Sequence, residues 1–153
     1  MNDALRLGRT LEMILPCAEI LIVDHRSADA TRRVACEYGA RITTADGDAP
    51  ASHYLALARH DWILCMQPGE SINESLQASL FEWSALPSHE VPGSPAAGPA
   101  FSVSVREQTG EKWRNLSAET RLIPRNWALW QRRLPAHEPS AIALQGAMLR
   151  FVP

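Results

Sequence analysis

Hydrophobic positions follow two rhythms along this chain of 153 residues. In the first half, short apolar runs alternate with stretches of helical spacing. Leu5, Leu7, Leu11, Ile14 and Leu15 recur at roughly helical intervals and stop at Pro16, which predicts an amphipathic helix over 3–15. The apolar run that follows predicts a strand over 19–23, ending abruptly in Asp24. Val34, Ala35 and Tyr38 predict a second helix over 29–38, closed by Gly39 just past its end, and a short strand over 40–43. Turn chemistry at 46–50 leads to a third helix over 51–60, then to a strand over 62–66 broken by Pro68-Gly69. Ser71-Ile-Asn-Glu74 has the spacing of a capping box and predicts a fourth helix over 71–86. Such alternation predicts βαβ crossovers and a mostly parallel sheet flanked by helices.

The second rhythm begins after 87–99, where four prolines and two glycines predict a loop. Phe101-Ser-Val-Ser-Val105 alternates strictly, as a half-exposed antiparallel strand does, and Thr109-Gly110 suggests a hairpin turn. Residues 121–123 and 145–152 are further strand candidates, whereas 127–139 shows no clear period. One domain over 1–153 is expected, divided into an α/β half (1–86), a Pro/Gly-rich loop (87–100) and a smaller antiparallel region (101–153).

Charge is uneven. Residues 1–100 hold 7 Lys/Arg against 13 Asp/Glu, and residues 101–153 hold 8 against 4. The basic final third suits a phosphate-bearing ligand or an anionic membrane surface, or is simply a solvated face. No dense basic and aromatic patch points to nucleic acid. No apolar run approaches the roughly 20 residues that span a bilayer, and the first ten residues lack a signal-peptide core. Cys17, Cys36 and Cys65, odd in number and widely spaced, are expected to be buried small residues in a reducing cytoplasm rather than a disulfide frame or zinc site.

The chemistry concentrates at 19–31. A strand ending in Asp24 delivers a carboxylate to the carboxyl edge of a sheet, where open α/β sheets bind ligands. Ser27, Asp29 and Thr31 follow in a polar turn able to cap the next helix. For Ser27 and Asp29, capping competes with ligand contact. Neither of the Gly-rich phosphate-loop patterns of nucleotide-binding domains occurs.

Taken in order, these segments resemble the family 2 glycosyltransferases, in particular the compact enzymes of bacterial lipopolysaccharide-core and cell-wall sugar transfer. Asn2-Asp3 is similar to the Asn-Glu before that family's first helix. Residues 19–31 resemble its EIIVVD-x-x-S-x-D-x-T segment, and 56–70, with Asp61-Trp-Ile-Leu64, the stretch leading into its Asp-x-Asp motif. Residues 101–106, 121–125, His137-Glu138 and 149–151 resemble later landmarks. The resemblance implies a GT-A-type, Rossmann-like fold and a nucleotide-diphosphate sugar as donor. It implies a glycan or lipid-linked acceptor, in envelope polysaccharide synthesis at the inner membrane face. Asp24 matches the position that contacts the nucleobase, with Ser27 and Asp29 in the accompanying turn. Glu138 matches the candidate acceptor base, with His137 positioning acceptor or phosphate. Trp113, Trp127 and Trp130 are candidates for stacking on a sugar.

Two departures accompany the resemblance. Where the family carries Asp-x-Asp-Glu, this chain reads Gln67-Pro-Gly-Glu70, so Glu70 alone remains as a ligand for divalent Mn or Mg. Arg125, Arg132 or Arg133 would then have to take over the metal's charge. The family also has a strand before Asn-Glu, which is absent from a chain starting at Met1-Asn2; an upstream start, a closed-up sheet or a strand from another copy would each account for it. The alternative to an active transferase is a relic that keeps a nucleotide- or partner-binding role.

Overall fold

Leu7, Thr10 and Leu11 bury one side of the first helix, α1 (Ala4–Met13), while Leu5 on the other side stays 86% exposed. The computed structural model describes residues 2–14, 17–47, 49–85 and 100–152. The loop expected over 87–99, the helix stop at Pro16 and Asp48 of the expected turn lie outside them. Strand β1 (Leu21–Asp24), helix α2 (Thr31–Glu37) and strand β2 (Arg41–Thr44) form as the pattern predicts. The two strands pair in parallel from Leu21↔Arg41 to Asp24↔Thr44. Gly39, at φ +68°, takes the left-handed position after α2 that a side chain would resist. Helix α3 (Ala51–Leu55) ends earlier than the expected 60.

Beyond this point the sheet departs from expectation. Strand β3 (Trp62–Leu64) does not join β1 and β2; it pairs antiparallel with β7 (Glu119–Pro124), Ile63 opposite Ile123. A short strand, β4 (Glu70–Ile72), occupies the start of the expected fourth helix and pairs antiparallel with β10 (Ile142–Val152). Helix α4 therefore begins later, at Glu74–Ala85, capped by the Asn73 side chain, which accepts the Leu76 N–H at 2.9 Å. At the centre lies β5 (Phe101–Thr109), flanked by β7 and β10 and paired at its far end with β6 (Lys112–Asn115).

The mostly parallel, Rossmann-like GT-A sheet is thus corrected. The molecule has a small parallel pair, β1–β2, and a six-stranded, strongly curled, mostly antiparallel half-barrel in the order β3-β7-β5-β10-β4, with β6 on β5. Within the larger sheet only β5 and β10 run parallel. The physical reason is that helix–strand alternation reports elements and leaves open which sheet each strand joins. The long alternating strand β5 has Val103 and Val105 wholly buried on one face and pairs with β6, β7 and β10, whose outer neighbours β3 and β4 come from the first half of the chain.

Helix α4 lies close on β10. Gly146 sits at φ +97° beside a register shift between Ala143 and Ala147, and a Cβ there would fall 2.1 Å from the backbone nitrogen of Leu76. No side chain fits between helix and strand at that point, and the irregularity adds curl to the sheet. The cores follow the same division. Leu7, Leu11 and Ala35 pack with Ile22 and Ile42 around β1–β2, while Ile72, Leu76, Val103 and Met148 pack under α4.

Candidate functional site

The unpatterned stretch at 127–139 turns out to hold a hairpin, β8 (Trp130–Gln131) and β9 (Leu134–Pro135), with Trp130 opposite Pro135. Its two-residue turn is Arg132-Arg133, and Arg132 adopts φ +57°, a left-handed conformation uncommon outside glycine, asparagine and aspartate. Both guanidiniums are exposed, and neither has an ion-pair partner among the described residues. Trp127 and Trp130 anchor the hairpin against Leu55, Ala100 and Ile123. The Trp130 indole N–H donates to the Trp127 carbonyl at 3.1 Å.

Two open clefts meet at this hairpin. One, of about 620 Å3, is lined by Gln67 and by Gln131 to Leu134. The other, of about 610 Å3, is lined by Ser117 to Thr120, Gln131, Arg132, Leu134, Pro135 and His137. They share Gln131, Arg132 and Leu134. At the carboxyl end of β1, burial and then the charge of Arg133, a residue of the first cleft, push the His25 imidazole below its ordinary pKa, with Asp24 opposing.

The carboxylates that the sequence points to are mostly engaged inside the protein. Asp24 is 3% exposed, and its two oxygens accept the Ser27 N–H at 3.1 and 3.3 Å. It closes the turn after β1 and lines neither cleft. Asp29 accepts the Thr31 N–H at 3.0 Å, the Thr31 hydroxyl, and the Ala4 N–H at 3.2 Å. The Thr31 hydroxyl leads in holding its carboxyl below the usual range. Ser27 Oγ accepts the Asn2 N–H at 3.1 Å, and the Ala28 N–H donates to the Asn2 side chain at 2.8 Å. Ser27 and Asp29 therefore tie the start of α1 to the β1–α2 turn.

Glu70 is 1% exposed, and its carboxylate accepts five hydrogen bonds. One comes from the Gln67 N–H, two from Arg121 and two from Arg150. A carboxylate offers about four lone-pair sites, so no oxygen is open to a cation. With Gln67 and Gly69 in place of the two aspartates, the residues present do not fit a divalent metal.

The partner of Glu70, Arg121, is a charged site that sequence reasoning misses. It is wholly buried, and all five of its N–H groups are satisfied: by Glu70, by Glu119 and by the Cys65 carbonyl. Arg150 joins Glu119 to Glu70, and Glu107 in turn pairs with Arg114. The available signal is the same-face spacing of Glu119 and Arg121 in a strand that runs on into Leu122 and Ile123.

His137 and Glu138 are separated in role. His137 is exposed and lines the second cleft. The Glu138 carboxylate instead accepts the Ser140 hydroxyl at 2.6 Å and the Ser140 N–H at 3.0 Å, and the hydroxyl leads in lowering its pKa. Arg125 is held away from both clefts by Asp61 and the Ala58 carbonyl. Cys17 and Cys36 are exposed rather than buried, and Cys65 is half-buried. No described helix is long and apolar enough to cross a membrane. No known family model matches this chain, and no curated protein matches it in sequence.

Proposed function

We propose that the protein binds a nucleotide-diphosphate sugar in the cleft beside His25 and Gln67, and transfers the sugar to a glycan or lipid-linked acceptor in the adjoining cleft. The observation that carries this reading is a pair of guanidiniums, Arg132 and Arg133, without ion-pair partners among the described residues and lining the same cleft as Gln67. Gln67 stands where the resembling family places its first metal-binding carboxylate. Guanidinium forks match phosphate oxygens and are not titrated away at any physiological pH. In this reading the acceptor oxygen bonds to the anomeric carbon while the bond from that carbon to the diphosphate breaks. His137 takes the acceptor's proton, and the arginines hold the charge that develops on the departing diphosphate. Asp24, Ser27, Asp29, Glu70 and Glu138 contribute through the fold. The setting proposed is envelope polysaccharide synthesis at the cytoplasmic membrane face.

A second reading, nucleotide binding without turnover, is favoured by the internal engagement of Asp24, Glu70 and Glu138. Thermal unfolding with nucleoside diphosphates and their sugars, with and without Mn2+, tests both. A hundredfold excess over Kd adds ~2.7 kcal/mol, which raises Tm by roughly 5–10 °C for a chain this size. The expected shift needs no metal. A shift that requires Mn2+ takes the neutralising role away from the arginines, and no shift with any nucleotide removes the donor site altogether. Release of nucleotide from the donor, lost in His137→Ala, separates transfer from binding.

His25 gives the site a pH signature. Its folded pKa lies below the unfolded value of about 6.5, so the folded state holds fewer protons and loses stability as pH falls through that value. A diphosphate bound beside Arg133 raises the imidazole pKa, so binding takes up a proton. Affinity for a nucleotide sugar is therefore expected to rise as pH falls from about 8 to about 6. Calorimetric titration of wild type and His25→Gln checks this: equal pH slopes in the two proteins place the ligand elsewhere.

A further inference from the structure

The second cleft holds a charged group that the transfer reading leaves unused. Glu119 is the one acidic residue among those lining either cleft. It opens strand β7, and its side chain is 28% exposed at the outer end of the buried ionic cluster. Two guanidiniums hold it unevenly. Oε2 accepts the Arg121 Nε–H at 3.0 Å, an Arg121 Nη2–H at 2.6 Å and an Arg150 Nη2–H at 3.1 Å. Oε1 takes Arg150 Nη2 alone, at 2.9 Å. A carboxylate oxygen has two lone-pair sites, so Oε1 keeps one for a further donor. Glu70, Glu107 and Glu119 balance Arg114, Arg121 and Arg150, so the cluster brings no net charge to the cleft.

We infer that Glu119 is the specificity-determining residue of the second cleft: its Oε1 accepts a hydrogen bond from a non-reacting hydroxyl of a sugar ring and so sets which hydroxyl faces His137. The inference rests on the reading of this cleft as the acceptor site. A hydroxyl suits the open lone pair because it gives a proton and carries no charge, whereas a diphosphate or a carboxylate ligand brings further acceptors. The two clefts divide accordingly. The one with Gln67 is lined by both hairpin arginines and no acid, and the one with His137 by Glu119. Trp113, Trp127 and Trp130 line neither, so a sugar is recognised there through hydrogen bonds rather than stacking. Arg121 and Arg150 fix the accepting oxygen on a strand before any ligand arrives, which is how a binding group is kept selective.

Amide NMR titration with methyl β-D-glucopyranoside and methyl α-D-mannopyranoside, and with the monodeoxy forms of each, tests the inference. In the wild-type protein a glycoside is expected to shift the amides of 117–120 and His137, and loss of one particular hydroxyl to weaken it about tenfold, as for one hydrogen bond to a charged group. In Glu119→Met that same deoxygenation is expected to cost nothing further, whereas a purely structural role for Glu119 would weaken parent and deoxy glycosides alike. Thermal unfolding verifies that the variant folds; where it does not, the wild-type shifts and deoxy series decide alone. Absence of shifts at 117–120, deoxy forms that all bind like their parents, or a deoxy penalty that survives in Glu119→Met each overturns the inference. Inorganic pyrophosphate, titrated in the same way, reads the donor cleft separately. Its shifts at Gln67 and 131–133 without any glycoside response sink the role of Glu119 and leave the donor site standing. The glycoside response without a pyrophosphate response removes the transfer reading and keeps Glu119 as the sugar contact.

Discussion

Replacing Arg121 by methionine is expected to destabilise the fold by about 3–5 kcal/mol, the usual cost of breaking a buried charge pair from one side. Arg121 is 0% exposed, and its fork is fully used by Glu70, Glu119 and a backbone carbonyl. Methionine fills part of the volume but leaves Glu70, 1% exposed, with only Arg150 and one backbone N–H against its charge. Lysine restores charge without the five-donor fork, so Arg121→Lys falls between the two. Urea unfolding reads the effect as a lowered midpoint at constant slope. The double variant Glu70→Gln, Arg121→Met removes the stranded carboxylate and is expected to recover part of the loss. A single variant that unfolds at the wild-type midpoint would show the cluster to be energetically idle.

The second large effect is on binding. In the proposed complex, Arg132→Ala and Arg133→Ala would each remove charge-assisted hydrogen bonds to phosphate, worth about 1.5–3 kcal/mol apiece. Each is expected to weaken nucleotide-diphosphate affinity about tenfold or more, and the pair together on the order of 10²–10⁴-fold. The two side chains would share one ligand, so their effects need not add. Both are exposed and have no ion pair among the described residues, and alanine is no better suited than arginine to φ +57°, so the unliganded Tm should hardly move. Lysine at either position keeps the charge and tests whether the fork matters. Isothermal titration of all variants decides it, and unchanged affinity in the double variant moves the phosphate site off the hairpin.

Local structure is largely legible in the sequence; pairing is not. The apolar spacing of Leu7 and Leu11, the strand ending at Asp24 and the stop at Gly39 are each encoded within a few residues. The partners of β3 and β4 lie some 60 to 80 residues away, at Ile123 and Arg150, and no local period reports them. Ser71 and Glu74 have capping-box spacing, yet Ser71 lies in β4 opposite Leu149 of β10, and Asn73 caps the helix instead. The site divides in the same way. A carboxylate after a strand is visible in sequence, but the turn that consumes Asp24 depends on where the Ser27 N–H points. Arg132 and Arg133 are legible as cations without a location, since a six-residue hairpin is too short to show a period.

The cleft proposed for the diphosphate lies near a seam between two apolar cores. His25, which feels the charge of Arg133, follows a strand whose apolar packing is with α1 and α2, whereas the hairpin that lines the cleft with Gln67 packs through Trp127 and Trp130 on Leu55, Ala100 and Ile123. Between them, Glu19 clasps the Arg59 N–H at 2.8 Å and the Arg41 guanidinium, and Thr10 accepts the Gly69 N–H at 3.1 Å. A ligand gripping both sides becomes a rivet across that seam, so how tightly it is held and how stiff the seam becomes are one quantity seen from two directions.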